Sequence, residues 1–111
     1  MQWNNLTSIE QIEEIINLSN SDSIKAVAVF KHSTRCIISS MAKNRMQRKW
    51  KFDVKDIPLY YLDILNHRDV SNEIARRLNI THESPQLLLI KNGKCIINQT
   101  HNAVEPGDID I

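Results

Sequence analysis

Ala26-Val27-Ala28-Val29-Phe30 runs directly into Lys31-His32-Ser33-Thr34-Arg35-Cys36-Ile37-Ile38-Ser39, and this join decides the fold. The first five residues are apolar without interruption, as in a strand covered on both faces and central to a parallel sheet. From about Arg35 to Trp50 there is neither Gly nor Pro. Ile38, Met41, Ala42 and Arg45 trace one face of that segment, which predicts a helix with Ser33 or Thr34 available to cap it. Cys36 therefore falls at a strand-to-helix junction. A thiol in the first turn of a helix meets backbone N–H groups that have no intrahelical partner and the positive end of the helix dipole, and both favour thiolate over thiol. The thiolate is the nucleophile of thiol–disulfide exchange, so its position makes Cys36 the candidate catalytic residue.

Working outward, Thr7-Ser8-Ile9-Glu10 matches a capping box, with Thr7 as N-cap and Glu10 reaching back. Ile9, Ile12, Ile15 and Ile16 then follow at helical spacing to about Leu18. Ser19 to Ser23 reads as a loop. Beyond the central helix, Pro58-Leu59-Tyr60-Tyr61-Leu62 has the content of a strand, with Pro58 tolerated at its first position. Asp69 is placed to cap a helix carrying Val70, Ile74 and Leu78 on one face. Gln86 to Ile90, the dipeptide Asn92-Gly93 and Lys94 to Ile97 read as a strand, a tight type I′ turn and an antiparallel return. A short extra strand is expected at Gln2 to Asn4. This alternation predicts an α/β fold, a mixed central sheet of four to five strands flanked by helices. Residues 1–111 are expected to form a single domain, with 101–111, which contain Pro106 and Gly107, as an irregular tail.

A chain of 111 residues, 41% hydrophobic and 24% charged, is long enough for one core of its own. Two cysteines do not make a disulfide framework, and an unpaired thiol suits a reducing compartment. Met1 to Asn5 show neither a basic nor an apolar leader region, and no apolar run approaches the ~18 residues of a membrane span. The expectation is a soluble cytoplasmic protein. The net charge is +1, but Lys31, Arg35, Lys43, Arg45, Arg48, Lys49 and Lys51 hold seven of the fourteen basic residues, and no acid lies between Asp22 and Asp53. A positive field is thus expected around the thiol.

Phe30-Lys31-His32-Ser33-Thr34-Arg35-Cys36 with Ile38-Ser39, Tyr60-Tyr61-Leu62-Asp63, Ser71-Asn72-Glu73-Ile74-Ala75, His82-Glu83-Ser84-Pro85-Gln86 and Ile90-Lys91-Asn92-Gly93-Lys94 together span most of the chain. In these stretches the sequence resembles the thioredoxin-like fold and, more closely, the monothiol bacilliredoxin family. The resemblance implies that Cys36 opens the helix after the central strand and that a cis proline, Pro85, stands beside it. It also implies that Ser84 offers its backbone to an extended substrate. In such families a proline commonly follows the cysteine, where this chain has Ile37, and the fold commonly closes with a further helix for which the tail shows no pattern.

Cys36-Ile37-Ile38-Ser39 is a C-x-x-S arrangement, so a hydroxyl stands one helical turn on, where a dithiol oxidoreductase would hold its second cysteine. A hydroxyl cannot resolve a disulfide, but it can hydrogen-bond a thiolate. Thr34, Arg35 and Ser39 are therefore expected to support the site, and an external thiol to resolve it. Cys95 lies at the turn end of the hairpin, one strand length from Pro85, beyond the ~7 Å between Cα atoms that a disulfide allows. It reads as a core thiol. Ser84, Pro85, Lys31 and His32 are the expected substrate-binding residues, with Arg35 and Lys31 facing carboxylates of a small anionic thiol and His82 nearby. The family identifies that thiol as bacillithiol. The implied activity is removal of bacillithiol from S-bacillithiolated proteins through a Cys36 mixed disulfide, with bacillithiol as co-substrate and no other cofactor. The implied partners are bacillithiolated cytosolic proteins and a low-molecular-weight thiol, not nucleic acid or membrane. Two other classes compete. One is a glutaredoxin-like iron–sulfur carrier, whose glycine after the cysteine is Ile37 here. The other is a noncatalytic interaction module that uses the basic helix. Zinc held by His32, Cys36 and His82 would lack the paired-cysteine spacing of structural zinc sites.

Overall fold

The structure is a computed structural model that describes residues 2–111. Its elements are β1 (Asn4–Asn5), α1 (Glu10–Ser19), β2 (Val27–His32), α2 (Ile37–Lys49), β3 (Leu59–Asp63), α3 (Arg68–Leu78), β4 (Gln86–Lys91) and β5 (Lys94–Thr100), followed by 3₁₀ turns at His101–Ala103 and Pro106–Asp108. The five strands form one sheet in the order β1-β3-β2-β4-β5. β1, β3 and β2 run parallel, and β4 is antiparallel to both β2 and β5. The mixed sheet expected from the alternation is thus present, with β2 at its centre.

All six residues of β2 are buried, because helices cover both faces. Val27 and Val29 join Ile12 and Ile15 of α1 and Val70 and Ile74 of α3 in one apolar cluster. Ala28 and Phe30 join Ala42 and Met46 of α2, with Val104 and Ile109 of the tail, in the other. Alternation along β2 therefore sends Lys31 toward the α1/α3 side and His32 toward the α2 side. Asn92 and Gly93 have φ of 54° and 74°, the two positive values a type I′ hairpin turn requires. The Gly93 N–H also donates to Ser19 Oγ at 3.0 Å, tying this turn to the end of α1.

Several local expectations shift. The first helix starts at Glu10, so Glu10 is its first residue and has no box to close; Gln11 Oε1 instead accepts from the Thr7 and Ser8 N–H groups at 2.8 and 3.1 Å. The cap of α3 is His67, and Asp69 sits inside its first turn, favourably placed for the dipole. The extra strand is Asn4–Asn5 rather than Gln2 to Asn4. On α2 the buried residues are Ser39, Ala42 and Met46, whereas Met41 is 51% exposed. The helix begins only at Ile37, and its phase against the sheet is set by Ser39. Apart from the two 3₁₀ turns the tail has no regular element, but it is packed: Val104, Pro106 and Ile109 are buried. Arg45 holds it by donating to the Val104 and His101 carbonyls at 2.7 and 3.2 Å, and Lys49 pairs with Glu105 at 2.6 Å. The basic face of α2 thus supplies the donors that hold the tail. Among the described residues no helix is long and apolar enough to cross a membrane.

Candidate active site at the carboxyl end of the central strand

β2 ends at His32, the chain turns through Ser33-Thr34-Arg35, and Cys36 is the N-cap residue of α2 in an extended conformation. Its N–H donates to the Ser33 carbonyl at 3.2 Å and its carbonyl accepts from Ser40 at 3.0 Å, so both backbone groups are committed to the turn and the helix. The half-buried thiol makes no capping bond, and the first turn of α2 carries no acid. As N-cap, Cys36 adjoins the first-turn amides of α2, which have no intrahelical acceptor. Thr34 and Arg35 are exposed beside it.

Pro85 reaches the same place from the other side of the sheet. Lys31 pairs with Gln86 across β2 and β4, which brings Pro85 alongside His32, and the Ser84–Pro85 peptide is cis. The loop ahead of it is held by the Gln86 side chain, whose amide donates to the Thr81 carbonyl and Asn98 Oδ1 at 3.1 and 3.0 Å. Behind it, the His101 N–H donates to the Pro85 carbonyl at 2.9 Å. Ser84 Oγ is buried and has no hydrogen-bond partner.

Ser39 does not meet the thiol as expected. Its buried Oγ accepts from the Ser33 N–H at 2.9 Å and lies 2.7 Å from His32 Nδ1. A hydroxyl can accept a second bond as well as donate one, so Ser39 and His32 Nδ1 are joined by a hydrogen bond whichever of them holds the proton. Burial, and next the Lys43 charge, push the His32 pKa down and keep it neutral. Ser39 is a bracket between the end of β2 and the first turn of α2.

Lys31 and His32 were expected to touch substrate, but both are buried. His32 belongs to the Ser39 bracket. The Lys31 ammonium points to the Ser71 carbonyl at 3.3 Å and His82 Nδ1 at 3.2 Å. Burial, and next the Arg68 charge, lower its pKa to about 8. His32 and His82 are thus engaged on opposite faces of β2. Among the described residues no three His, Cys, Asp or Glu side chains stand together as a metal site. Cys95 is half-buried opposite Ile90, its thiol 3.2 Å from the Ile97 carbonyl, and burial pushes its pKa up. Neither Ser71 nor Arg68 was expected as a site residue; they meet Lys31 and His82 only in three dimensions.

The chain matches the family described as monothiol bacilliredoxin BrxC over residues 4–109. Among solved structures, it is similar to a protein assigned as an oxidoreductase with a thioredoxin fold, at 33% identity and a TM-score of 0.73, covering 93% of this chain and 86% of that one. Thioredoxin from Malassezia sympodialis shares the fold at 18% identity and a TM-score of 0.63, covering 95% and 82%. Thioredoxin from Trypanosoma brucei brucei does so at 15% and 0.66, covering 91% and 80%. The fold is thioredoxin-like.

Proposed function

This chain belongs to the monothiol bacilliredoxin family, and from that premise we propose that it is a monothiol thiol–disulfide oxidoreductase that removes bacillithiol from S-bacillithiolated proteins. The observation that carries the proposal is the placement of Cys36 at the N-cap of α2, just past β2, the strand whose pairing with β4 also aligns the cis Ser84–Pro85 peptide. The Cys36 thiolate attacks the bacillithiol sulfur of the protein–bacillithiol disulfide. That S–S bond breaks, the target cysteine leaves as a thiolate that takes a proton from water, and a Cys36–bacillithiol disulfide forms. One sulfur is oxidised to the disulfide level as another is reduced, so no outside electron carrier enters this step. Neighbouring positions favour a one-cysteine cycle. The residue three places on is a hydroxyl already committed to Ser33 and His32, and Cys95 stands at the far end of the sheet. A second small thiol, by attacking the bacillithiol sulfur, restores Cys36.

Ser84 offers its backbone to an extended substrate in a short β-like pairing, with Thr34 and Arg35 on the opposite rim. Bacillithiol is the only co-substrate in this reading, the targets are cytosolic proteins, and residues 1–111 act as one domain. Mass spectrometry of wild-type and Cys36→Ala protein after exposure to bacillithiol disulfide tests it. The wild type is expected to gain one bacillithiol on Cys36, and the variant to lose that fast adduct. Uptake by the variant at the wild-type rate would sink the mechanism.

A further inference from the structure

We propose that Arg68 and His82, backed by Lys31, form the subsite for a carboxylate of the small thiol that exchanges at Cys36. The inference rests on the exchange reading above and deepens it.

His82 Nδ1 lies 3.2 Å from Lys31 Nζ and 2.9 Å from Ser71 Oγ, while Nε2 lies 3.0 Å from an Arg68 nitrogen. Ammonium and guanidinium groups only donate, and a neutral imidazole offers one lone pair. With the ring proton on Nδ1 and donated to Ser71 Oγ, Nε2 accepts from Arg68 and Lys31 keeps the Ser71 carbonyl, so two cations converge on one ring, and among the described residues neither is paired with a carboxylate. Protonating the ring removes that lone pair and adds a third positive charge. Burial and then the charges of Lys31 and Arg68 push the His82 pKa down, against a raising effect from Glu83. A carboxylate at this edge accepts from Arg68, and from Nε2–H once the ring proton moves there, with the Lys31 charge behind it.

The surroundings agree with an anion. The contact between Arg68 and Nε2 is on the exposed side, whereas that between Lys31 and Nδ1 is partly buried, so the Arg68 edge opens to solvent. Arg68 is the first residue of α3, a position where a cation opposes the helix dipole and an anion is favoured. The nearest acids do not neutralise the cluster by direct pairing: Glu83 pairs with His101 at 3.2 Å, and Asp69 follows Arg68 in the first turn of α3. His82 precedes the cis peptide by two residues, and Arg68 follows the carboxyl end of β3. The subsite therefore shares the end of the sheet that holds Cys36. A thiol carrying its carboxylates several bonds from sulfur would lie across the Ser84–Pro85 loop. There its sulfur meets Cys36 in the exchange already written, thiolate attacking disulfide and thiolate leaving.

The test compares wild-type, Arg68→Gln and Lys94→Gln proteins, the last removing one positive charge at the far hairpin turn. Rates of mixed-disulfide formation at Cys36 are measured by mass spectrometry with bacillithiol disulfide and with uncharged 2-hydroxyethyl disulfide. Losing a charge-assisted contact predicts that Arg68→Gln slows the bacillithiol reaction about tenfold or more, while its reaction with 2-hydroxyethyl disulfide and both reactions of Lys94→Gln hold. An equal fall with both disulfides, an equal fall in Lys94→Gln, or no change in Arg68→Gln overturns the subsite. Failure of the wild type itself to take up bacillithiol overturns the exchange reading instead, so the two failures are distinct.

Discussion

Replacing Ser39 with alanine deletes one oxygen from a side chain with no solvent exposure. That oxygen accepts from the Ser33 N–H at 2.9 Å and shares a hydrogen bond with His32 Nδ1 at 2.7 Å. His32 is 2% exposed, so no solvent replaces the lost partner, and leaving such a buried polar group unsatisfied costs ~1–3 kcal/mol. Ser33 is only half-buried, so water recovers part of its bond and the further loss is ~0.5–1 kcal/mol. Ser39→Ala should therefore unfold roughly 1.5–4 kcal/mol more easily, a fall of about 6–16 °C in Tm for a domain near this size. Urea denaturation of the reduced protein measures it, since a lower midpoint at unchanged slope reports stability alone. Iodoacetamide alkylation of Cys36 is followed in parallel under native conditions. An unchanged urea midpoint together with an altered alkylation rate would refute the reasoning, because Ser39 would then act on the thiol and not as the bracket.

Lys31→Met tests the buried ammonium through pH. The folded-state pKa of Lys31 is about 8, against 10.5 for the free side chain. Between those values the unfolded chain still binds a proton that the folded chain has released, so wild-type stability rises with pH relative to Lys31→Met, by up to ~1.4 kcal/mol per pH unit. The quantity to measure is the difference in urea-unfolding free energy between the two proteins across that window, and a flat difference would contradict the burial of the ammonium. At Ile37, the first residue of α2 and 78% exposed, the N–H has no intrahelical acceptor and a proline fits. Ile37→Pro should fold with unchanged or up to ~1 kcal/mol higher stability; a clear loss of Tm would show that this N–H or this side chain is engaged.

Elements with a strong local signature were legible in the sequence. Asn92-Gly93 specifies its hairpin because both residues tolerate the positive φ the turn needs, and the unbroken apolar run before Lys31 marks the central strand. The junction holding Cys36 was legible for the same reason, since strand and helix patterns meet there within a few residues. The face of α2 was misread because Ile38 and Met41 are apolar yet turned outward, Ile38 at 37% exposure, while a serine is the residue turned in. Hydropathy identifies residues able to be buried; here the choice followed from the bonds Ser39 makes to Ser33 and His32. The tail carried no period because it packs by single side chains, Val104 and Ile109, rather than by a repeating face.

By itself, then, the sequence determined the order of strands and helices, the central place of β2 and the position of the one thiol at a helix start. All of these follow from contacts between near neighbours. Only the tertiary structure decided what surrounds that thiol. Lys31 meets Ser71 and His82 across 40 and 51 residues, and Arg45 reaches Val104 across 59. A polar side chain takes its role from whichever donors and acceptors the packed sheet brings within about 3 Å, and sequence spacing carries no trace of those distances.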